Sequence, residues 1–500
     1  MVSMDVGLRG DGAATADVGE GDEGSSTPAD EAPSPRRDWR HPSVEAAVLW
    51  LLVAVGLRIG LSPLGDNSFL THLATGRLIL DDHAIPRTDP YSFSAHGHAW
   101  TVQSWGASVI YALNERTVGL VGIRLVDAVL CVGLVLLLWR LSRVGTSLVA
   151  RILVAGLVVS MSTGLWVERP LLFGAFFLAI VLVAAEGELD PRWLVPVMWL
   201  WVNIHGSFPF GAGILVLYVI GRWLDDRERP VVELRALGWA VLGTLVGALG
   251  PLGPKLLLFP LDLLSNREAF KGIAEWEPPH WQRGVERFFA IQLGLTIVLV
   301  LWRDRRWRSI LPTVVFGLAA VTSTRNILQA SIVLTPILAA SLHGLGTIDG
   351  TRRPRLARPV VIAVAVLAVL VGVMGVAGPN TALAPYPEDA AAWMRHRGML
   401  GVDDRVVSRD YVGNWLEYEY GPDQVRTYID DRVDMYPLPV IRDYTQLLAE
   451  DGHFQAVLDR ARATSVLWDR RTPLGRWLER SERWKVVHRD EKWLVAVPEP

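Results

Sequence analysis

About eleven separate runs of apolar residues divide this chain of 500 residues, and they constrain its fold more than any other feature. A bilayer's hydrocarbon core is about 30 Å thick, so a helix needs roughly 20 apolar residues to cross it. Only helices and closed barrels satisfy every backbone polar group at that depth. Runs near 44–62, 119–139, 147–166, 170–185, 192–203, 207–223, 236–251, 288–302, 309–322, 327–343 and 359–378 read as spans. The pair within 192–223 also reads as one hairpin with a broken tip. Composition agrees. The chain is 51% hydrophobic and carries 21 Trp, a residue whose ring suits the headgroup level. The expected fold is an α-helical polytopic membrane protein of about eleven transmembrane helices with a small C-terminal α/β domain.

The arginines give these runs a direction. Clusters occur at Arg36, Arg37 and Arg40; at Arg140, Arg143 and Arg151; and at Arg222, Arg227, Arg229 and Arg235. Two more occur at Arg303, Arg305, Arg306 and Arg308, and at Arg352, Arg353, Arg355 and Arg358. An odd number of spans puts all of them on one side, the cytoplasm, and the C-terminal domain on the other. The expected location is therefore the plasma (inner) membrane, multi-pass, with a cytoplasmic N-terminus. Residues 1–42 are rich in Gly, Ala, Ser, Pro and acids, so they read as a disordered cytoplasmic tail. They lack the apolar core of a signal peptide. A transmembrane domain over 43–380 and an extracytoplasmic α/β domain over 381–500 follow. The net charge of −3 says nothing about nucleic acid, but no basic block reads as a phosphate-tracking surface, so no nucleic-acid partner is expected. The single cysteine, Cys131, lies in an apolar run and excludes a disulfide framework or a Cys-based metal site.

With this topology the outer face collects a distinct set of polar segments. They are a long first loop (63–118), Glu168-Arg169-Pro170, Asn203-Ile204-His205-Gly206, a second loop (250–287), Arg325-Asn326 and the C-terminal domain. Polar residues at helix ends inside a bundle are costly and line cavities, so a working site is expected to open on this face. The first loop carries Gly65-Asp66-Asn67-Ser68-Phe69-Leu70-Thr71-His72-Leu73-Ala74-Thr75-Gly76-Arg77. It has amphipathic stretches at 69–80 and 104–113, of the kind that lie in the interface plane.

An acid just past the first span, an interfacial helix, a Pro-rich turn and a second interfacial helix together resemble the GT-C glycosyltransferases, which use sugars linked to dolichyl or polyprenyl phosphate. These include protein mannosyltransferases and bacterial aminoarabinose transferases. The chain looks most similar to a bacterial branch that opens D-x-x-x-x-x-H-L-A-T-G-R, here Asp66, His72, Leu73, Ala74, Thr75, Gly76 and Arg77. The same branch carries Arg169-Pro170, Asn203 to Gly206, Glu275-Trp276 and Arg325-Asn326. Many members have paired acids at the first-loop motif, whereas Asp66 is followed by Asn67. The resemblance implies a GT-C-like fold and transfer of a sugar from a polyprenyl-phosphate donor to a glycan, lipid or protein acceptor outside the cytoplasm. Membrane lipids are the surroundings.

Such a transfer needs a base for the acceptor hydroxyl, positive charge for the departing phosphate, and an apolar groove for the lipid tail. The resemblance implies Asp66 as the catalytic base. Arg169, Arg325 and His205 would hold the phosphate, and His72 and Glu275 would shape the sugar or acceptor pocket, with Asn326 beside them. No cofactor is certain, although a divalent cation fits carboxylate and phosphate oxygens. Plainer readings exist for each residue. Asp66 also reads as the N-cap of a helix over 67–80, Arg169 with Glu168 as an interfacial ion pair, and Arg325 as a snorkelling anchor. Two other functions are open: a transporter or flippase of a lipid-linked sugar, and a non-catalytic scaffold whose C-terminal domain binds an envelope partner.

In the C-terminal domain the pattern predicts helices at 387–397, 411–420, 440–450 and 453–462. It predicts strands near 405–409, 425–429, 464–468, 484–489 and 492–497, forming a partly parallel sheet. No Gly-rich phosphate loop follows any strand. Asp430-Asp431-Arg432-Val433-Asp434 is read as following a strand directly. It reads either as a contact to an acceptor or to the first loop, or as loop ion pairs.

Overall fold

A computed structural model describes residues 43–145, 147–265, 267–270, 273, 275–343, 356–383 and 385–499. The tail expected over 1–42 and the arginines at 352–355 lie outside the described residues.

The apolar runs fold as helices. The chain enters through α1 (Val44–Gly60), then places α2 (Ser68–Asp82) and α3 (Trp105–Val118) in the first loop. It continues through α4 (Leu120–Leu141), α5 (Leu148–Val159), the single turn α6 (Ser162–Leu165), α7 (Pro170–Ala185), α8 (Leu194–Ile204), α9 (Pro209–Asp226) and α10 (Val231–Gly247). The helices α11 (Lys255–Ser265), α12 (Gly284–Leu299), α13 (Trp307–Thr322), α14 (Ile327–Ser341) and α15 (Arg358–Ala377) complete this region. Among the described residues, the helical stretches Leu120–Gly145, Gly284–Asp304 and Arg358–Ala377 are long and apolar enough to cross a bilayer, and several shorter helices are equally apolar. The chain is a multi-pass membrane protein.

Burial is inverted relative to a water-soluble bundle. Helices α7 and α14 are buried on nearly every face. By contrast, α15 buries only Ala368 and turns Ile362, Leu367, Leu370, Val373 and Met374 outward, as a helix solvated by lipid does. Close approach replaces hydrophobic drive where both surroundings are apolar. A Cβ at Gly60 would overlap the α4 backbone at Ala128.

One buried arginine closes one end of the bundle. Arg124, near the start of α4, donates to Ser62 O at 3.2 Å, Gly378 O at 3.2 Å and Asn380 Oδ1 at 3.1 Å, and also to Leu61 O and Gly375 O. These carbonyls belong to the last turns of α1 and α15 and the residues after them, where helical partners run out. The first loop therefore leaves the bundle from a fixed rim.

The C-terminal region forms α16 (Glu388–His396), β1 (Val406–Val407), α17 (Asp410–Tyr420), α18 (Leu438–Leu448), α19 (Phe454–Ala461), β2 (Ser465–Asp469), α20 (Pro473–Leu478), β3 (Trp484–Arg489) and β4 (Trp493–Pro498). The sheet order is β1-β2-β4-β3, with β1 parallel to β2 and the other pairs antiparallel. Two sequence expectations fail here. Residues 425–429 are not a strand of this sheet. Thr427 instead donates to Tyr91 O at 2.9 Å and accepts from Phe93 N at 2.9 Å, so its backbone pairs with the first loop. The motif at 430–434 therefore does not follow a sheet strand. The expected strand over 405–409 is only the two residues of β1.

That loop pairing is reinforced by a buried charge cluster. Arg432 binds Asp430 through Nε at 2.9 Å and reaches Asp89 of the first loop at 2.8 Å. It lies over the rings of Tyr91 and Trp100, and Tyr436 Oη donates to Asp430 at 2.6 Å. Burial opposes the charge of Asp430, but Arg432 outweighs it and holds the carboxyl below its ordinary range. Glu417, buried beside Asp430, is pushed well above its range.

Candidate functional site

The first residues of α2 are held from every side. Asp66 Oδ1 accepts the amide of Ser68 at 2.9 Å, two residues on, as an Asx-turn that leads into the helix. Asn67 occupies the N-cap position and makes no side-chain cap bond. Asp66 is therefore a turn residue ahead of the cap, and its other oxygen is free to face elsewhere. Glu168 accepts the amides of Gly65 and Asp66, the latter at 2.5 Å. It does not pair with the neighbouring Arg169, as a plain ion pair would require; it fixes the backbone on which Asp66 sits. Burial raises the Glu168 carboxyl above its ordinary range, against the lowering effect of those amides.

Arg169 precedes Pro170, and the ring of a following proline favours the extended conformation that Arg169 adopts. Its side chain lies at the N-terminus of α7, donating through Nε to Asp66 Oδ2 at 2.7 Å and through Nη1 to Glu275 Oε2 at 2.6 Å. Arg325 donates to the other oxygen of Glu275 at 2.9 Å and packs over Trp276. Its own amide donates to Glu275 O at 2.8 Å. The result is a continuous array, Asp66–Arg169–Glu275–Arg325, contributed by four segments distant in sequence. Burial opposes the charge of Arg169, but Asp66 and Glu275 hold the guanidinium above its ordinary range. Among the described residues, Nη2 of Arg169 and of Arg325 donates to no acceptor, so each keeps a donor for a ligand.

Both candidate histidines border the array. His72 lies in α2 with Nδ1 3.4 Å from Ser108 Oγ. Burial, with Arg169 adding to it, lowers the imidazole to about 4, so the ring is neutral at neutral pH. His205 Nδ1 accepts the amide of Ser207 at 3.1 Å, which places the proton of a neutral ring on Nε2. It lies within electrostatic reach of Arg325 and His72. Asn203 and Asn326 have other work. Asn203 accepts the indole of Trp105 at 3.1 Å and so ties α8 to α3. Asn326 donates to Ala319 O at 3.0 Å near the end of α13 and is not brought into the array.

The C-terminal region contributes residues that the sequence left outside the site. Asp431 Oδ2 accepts Ser68 Oγ at 2.6 Å and faces Asn67 Nδ2 at 3.5 Å. Tyr386 donates to Asn67 Oδ1 at 3.1 Å while stacked on Trp415. Burial, and next Asp410, push Asp431 up to about 7. The acid-rich run at 430–434 was the available signal for Asp431.

Among the described residues a divalent cation finds no fitting donor set. Among the described residues no group of three or more His, Cys, Asp or Glu is arranged to hold a metal. The facing oxygens of Asp66 and Glu275 are already engaged by guanidinium and amide donors.

No protein-family model matches this chain, and no curated protein does either. Solved structures do resemble it. The oligosaccharyltransferase of Archaeoglobus fulgidus, in complex with Zn and sulfate, is similar over 87% of this chain and 69% of its own, at 15% identity and a TM-score of 0.47. The mycobacterial arabinofuranosyltransferase AftD is similar over 91% of this chain and 41% of its own, at 14% identity and a TM-score of 0.48. ArnT of Cupriavidus metallidurans, bound to undecaprenyl phosphate, is similar over 91% of this chain and 97% of its own, at 14% identity and a TM-score of 0.48.

Proposed function

We propose that this protein is a membrane glycosyltransferase that moves a sugar from a polyprenyl-phosphate donor to an extracytoplasmic glycan, lipid or protein acceptor. The observation that carries the reading is the array of two arginines beside Asp66. Glu275 holds both guanidinia around one carboxylate, the manner in which two arginines grip a phosphate. Among the described residues, both retain an Nη2 donor directed to no acceptor.

In the reaction, Asp66 takes the proton of the acceptor hydroxyl through a lone pair not engaged by Ser68 or Arg169. The acceptor oxygen bonds to the anomeric carbon as the bond from that carbon to the phosphate oxygen breaks. The electron pair leaves on polyprenyl phosphate, whose growing charge is met by Arg169 and Arg325. The neutral His205, with its proton on Nε2, is a further donor, and His72 borders the sugar side.

Sidedness supports the same reading. The array, the first loop and the soluble domain share the end of the bundle closed by Arg124. Arg140 and Arg303 lie at the opposite ends of their helices and bind carbonyls of Glu188 and His343 there. Arginine-rich ends face the cytoplasm. This supports a cytoplasmic N-terminus, a bacterial plasma membrane and an extracytoplasmic domain over 381–500 as part of the same reading.

The test is binding of polyprenyl phosphate to the full chain in lipid, followed by native mass spectrometry. Retention by the wild type and loss in the Arg169→Ala and Arg325→Ala variants are expected. Equal retention by all three would remove the phosphate-binding role and with it this function.

A further inference from the structure

We propose that Asp431 is a positioning residue of this site, which fixes Asp66 through Ser68 and thereby gives the soluble domain a direct part in catalysis. The proposal rests on the transferase reading above.

Ser68 joins two carboxylates. Its amide donates to Asp66 Oδ1 at 2.9 Å, and its hydroxyl donates to Asp431 Oδ2 at 2.6 Å. Whatever orients Ser68 therefore orients the turn that presents Asp66. Asp431 is itself fixed: its amide donates to Asn414 Oδ1 at 3.1 Å, from α17. The next residue, Arg432, is the buried anchor of the domain on the first loop. A rigid path thus runs from the Arg432 cluster through Asp431 and Ser68 to Asp66.

The arrangement also accounts for Asn67, where a paired acid is common in the family that the first loop resembles. The Asn67 amide nitrogen faces Asp431 Oδ2 at 3.5 Å, and its oxygen accepts from Tyr386. An acid at 67 would lose that donor and set a like charge against Asp431. The second carboxylate at the motif comes instead from a residue more than 350 positions away. The groups facing Asp431 are Asp410 and Asn414 of α17, Arg169 at the start of α7, Tyr386 before α16, and the first-loop residues Asn67 and Ser68. Its ionisation is raised to about 7 among them, so loss or gain of its proton falls within the working pH range.

The experiment measures release of polyprenyl phosphate by the full chain in lipid vesicles, with polyprenyl-phosphate hexoses and pentoses supplied one at a time with cell-envelope extract, from pH 5 to 9. Variants are Asp431→Asn, Ser68→Ala and the double change. Each single variant is expected to lower kcat by on the order of ten- to a hundredfold, as small misplacements of a catalytic group do, with donor KM preserved. The double variant is expected to be no worse than either single one, because both cut the same link. Asp431→Asn is also expected to flatten the pH dependence of kcat near 7. Preserved KM and an unchanged proteolysis pattern show that the domain is still docked. Wild-type kcat in Asp431→Asn, or additive losses in the double variant, overturns the positioning role while leaving the transferase reading intact. A wild type that neither binds polyprenyl phosphate nor turns over any donor overturns the transferase reading, and this proposal with it.

Discussion

Replacing Arg432 by Met tests whether the C-terminal region is held on the first loop by charge. The guanidinium is buried, lies over Tyr91 and Trp100, and pairs with Asp430 and with Asp89 at 2.8 Å. Removing one partner of a buried ion pair costs about 3–5 kcal/mol, because the remaining charge is left without compensation. Here the lower end applies. Asp89 keeps the amides of Tyr91 and Ser92 and the Ser92 hydroxyl. Asp430 keeps the Tyr436 hydroxyl and the amide of residue 432. Methionine also preserves part of the packing against the rings. The expected loss is therefore about 3 kcal/mol, with faster protease cleavage between residues 84 and 104. Changing Asp89 to Asn in the same chain is expected to restore part of it, since the stranded charge is then gone. Denaturant unfolding in detergent and timed proteolysis read both effects. A change within about 1 kcal/mol, the value of an exposed pair, together with unaltered cleavage, refutes the reasoning.

Other expectations follow from the same contacts. Arg169→Ala is expected to reduce donor turnover by about a hundred- to a thousandfold, as loss of one charge-stabilising donor does. Arg169→Lys should recover only a small part, because an ammonium lacks the fork that reaches Asp66 and Glu275 together; full activity of the lysine variant contradicts this. Asp431 is pushed from 3.8 up to about 7 in the folded protein, so between those values the native state keeps a proton that the unfolded chain has released. Its contribution to stability is full below the lower value and is lost as pH rises through about 7. His72, lowered to about 4, slopes the opposite way, so the signal is the difference between variant and wild type. The melting temperature of Asp431→Asn should rise relative to wild type from pH 4 to 7, and a constant offset contradicts the assignment. Gly76→Ala should destabilise the chain by about 1–3 kcal/mol or more, because a Cβ there overlaps the Ser108 carbonyl where α2 crosses α3; unchanged unfolding sinks that reading.

The sequence speaks clearly where local pattern decides the outcome. Apolar runs gave helices, and the two amphipathic stretches of the first loop form α2 and α3. Asp66, Arg169, Glu275 and Arg325 could be singled out because each stands in a motif that the family resemblance picks out on the outer face, and the array joins all four. What local pattern does not contain is the docking of distant segments. Residues 425–429 have strand-like composition, yet their backbone partner is the loop near Tyr91 rather than the sheet. Asp431 meets Ser68 only because Arg432 anchors the domain on Asp89. Asn326 shows the opposite error: adjacent to Arg325 in sequence, its side chain turns back to Ala319. The short helix α20 lies outside the elements that the pattern predicts, although Thr472-Pro473 is a helix-start signal, with Thr472 Oγ1 accepting the amide of Gly475 at 3.4 Å.

The central claim is tested most directly by following the donor. The full chain in lipid is incubated with polyprenyl-phosphate sugars and cell-envelope extract, and mass spectrometry records free polyprenyl phosphate and the glycosylated acceptor together. The account predicts stoichiometric appearance of both in the wild type and neither in Asp66→Asn. Equal release by the wild type and by Asp66→Asn would contradict it, because the base would then lie elsewhere.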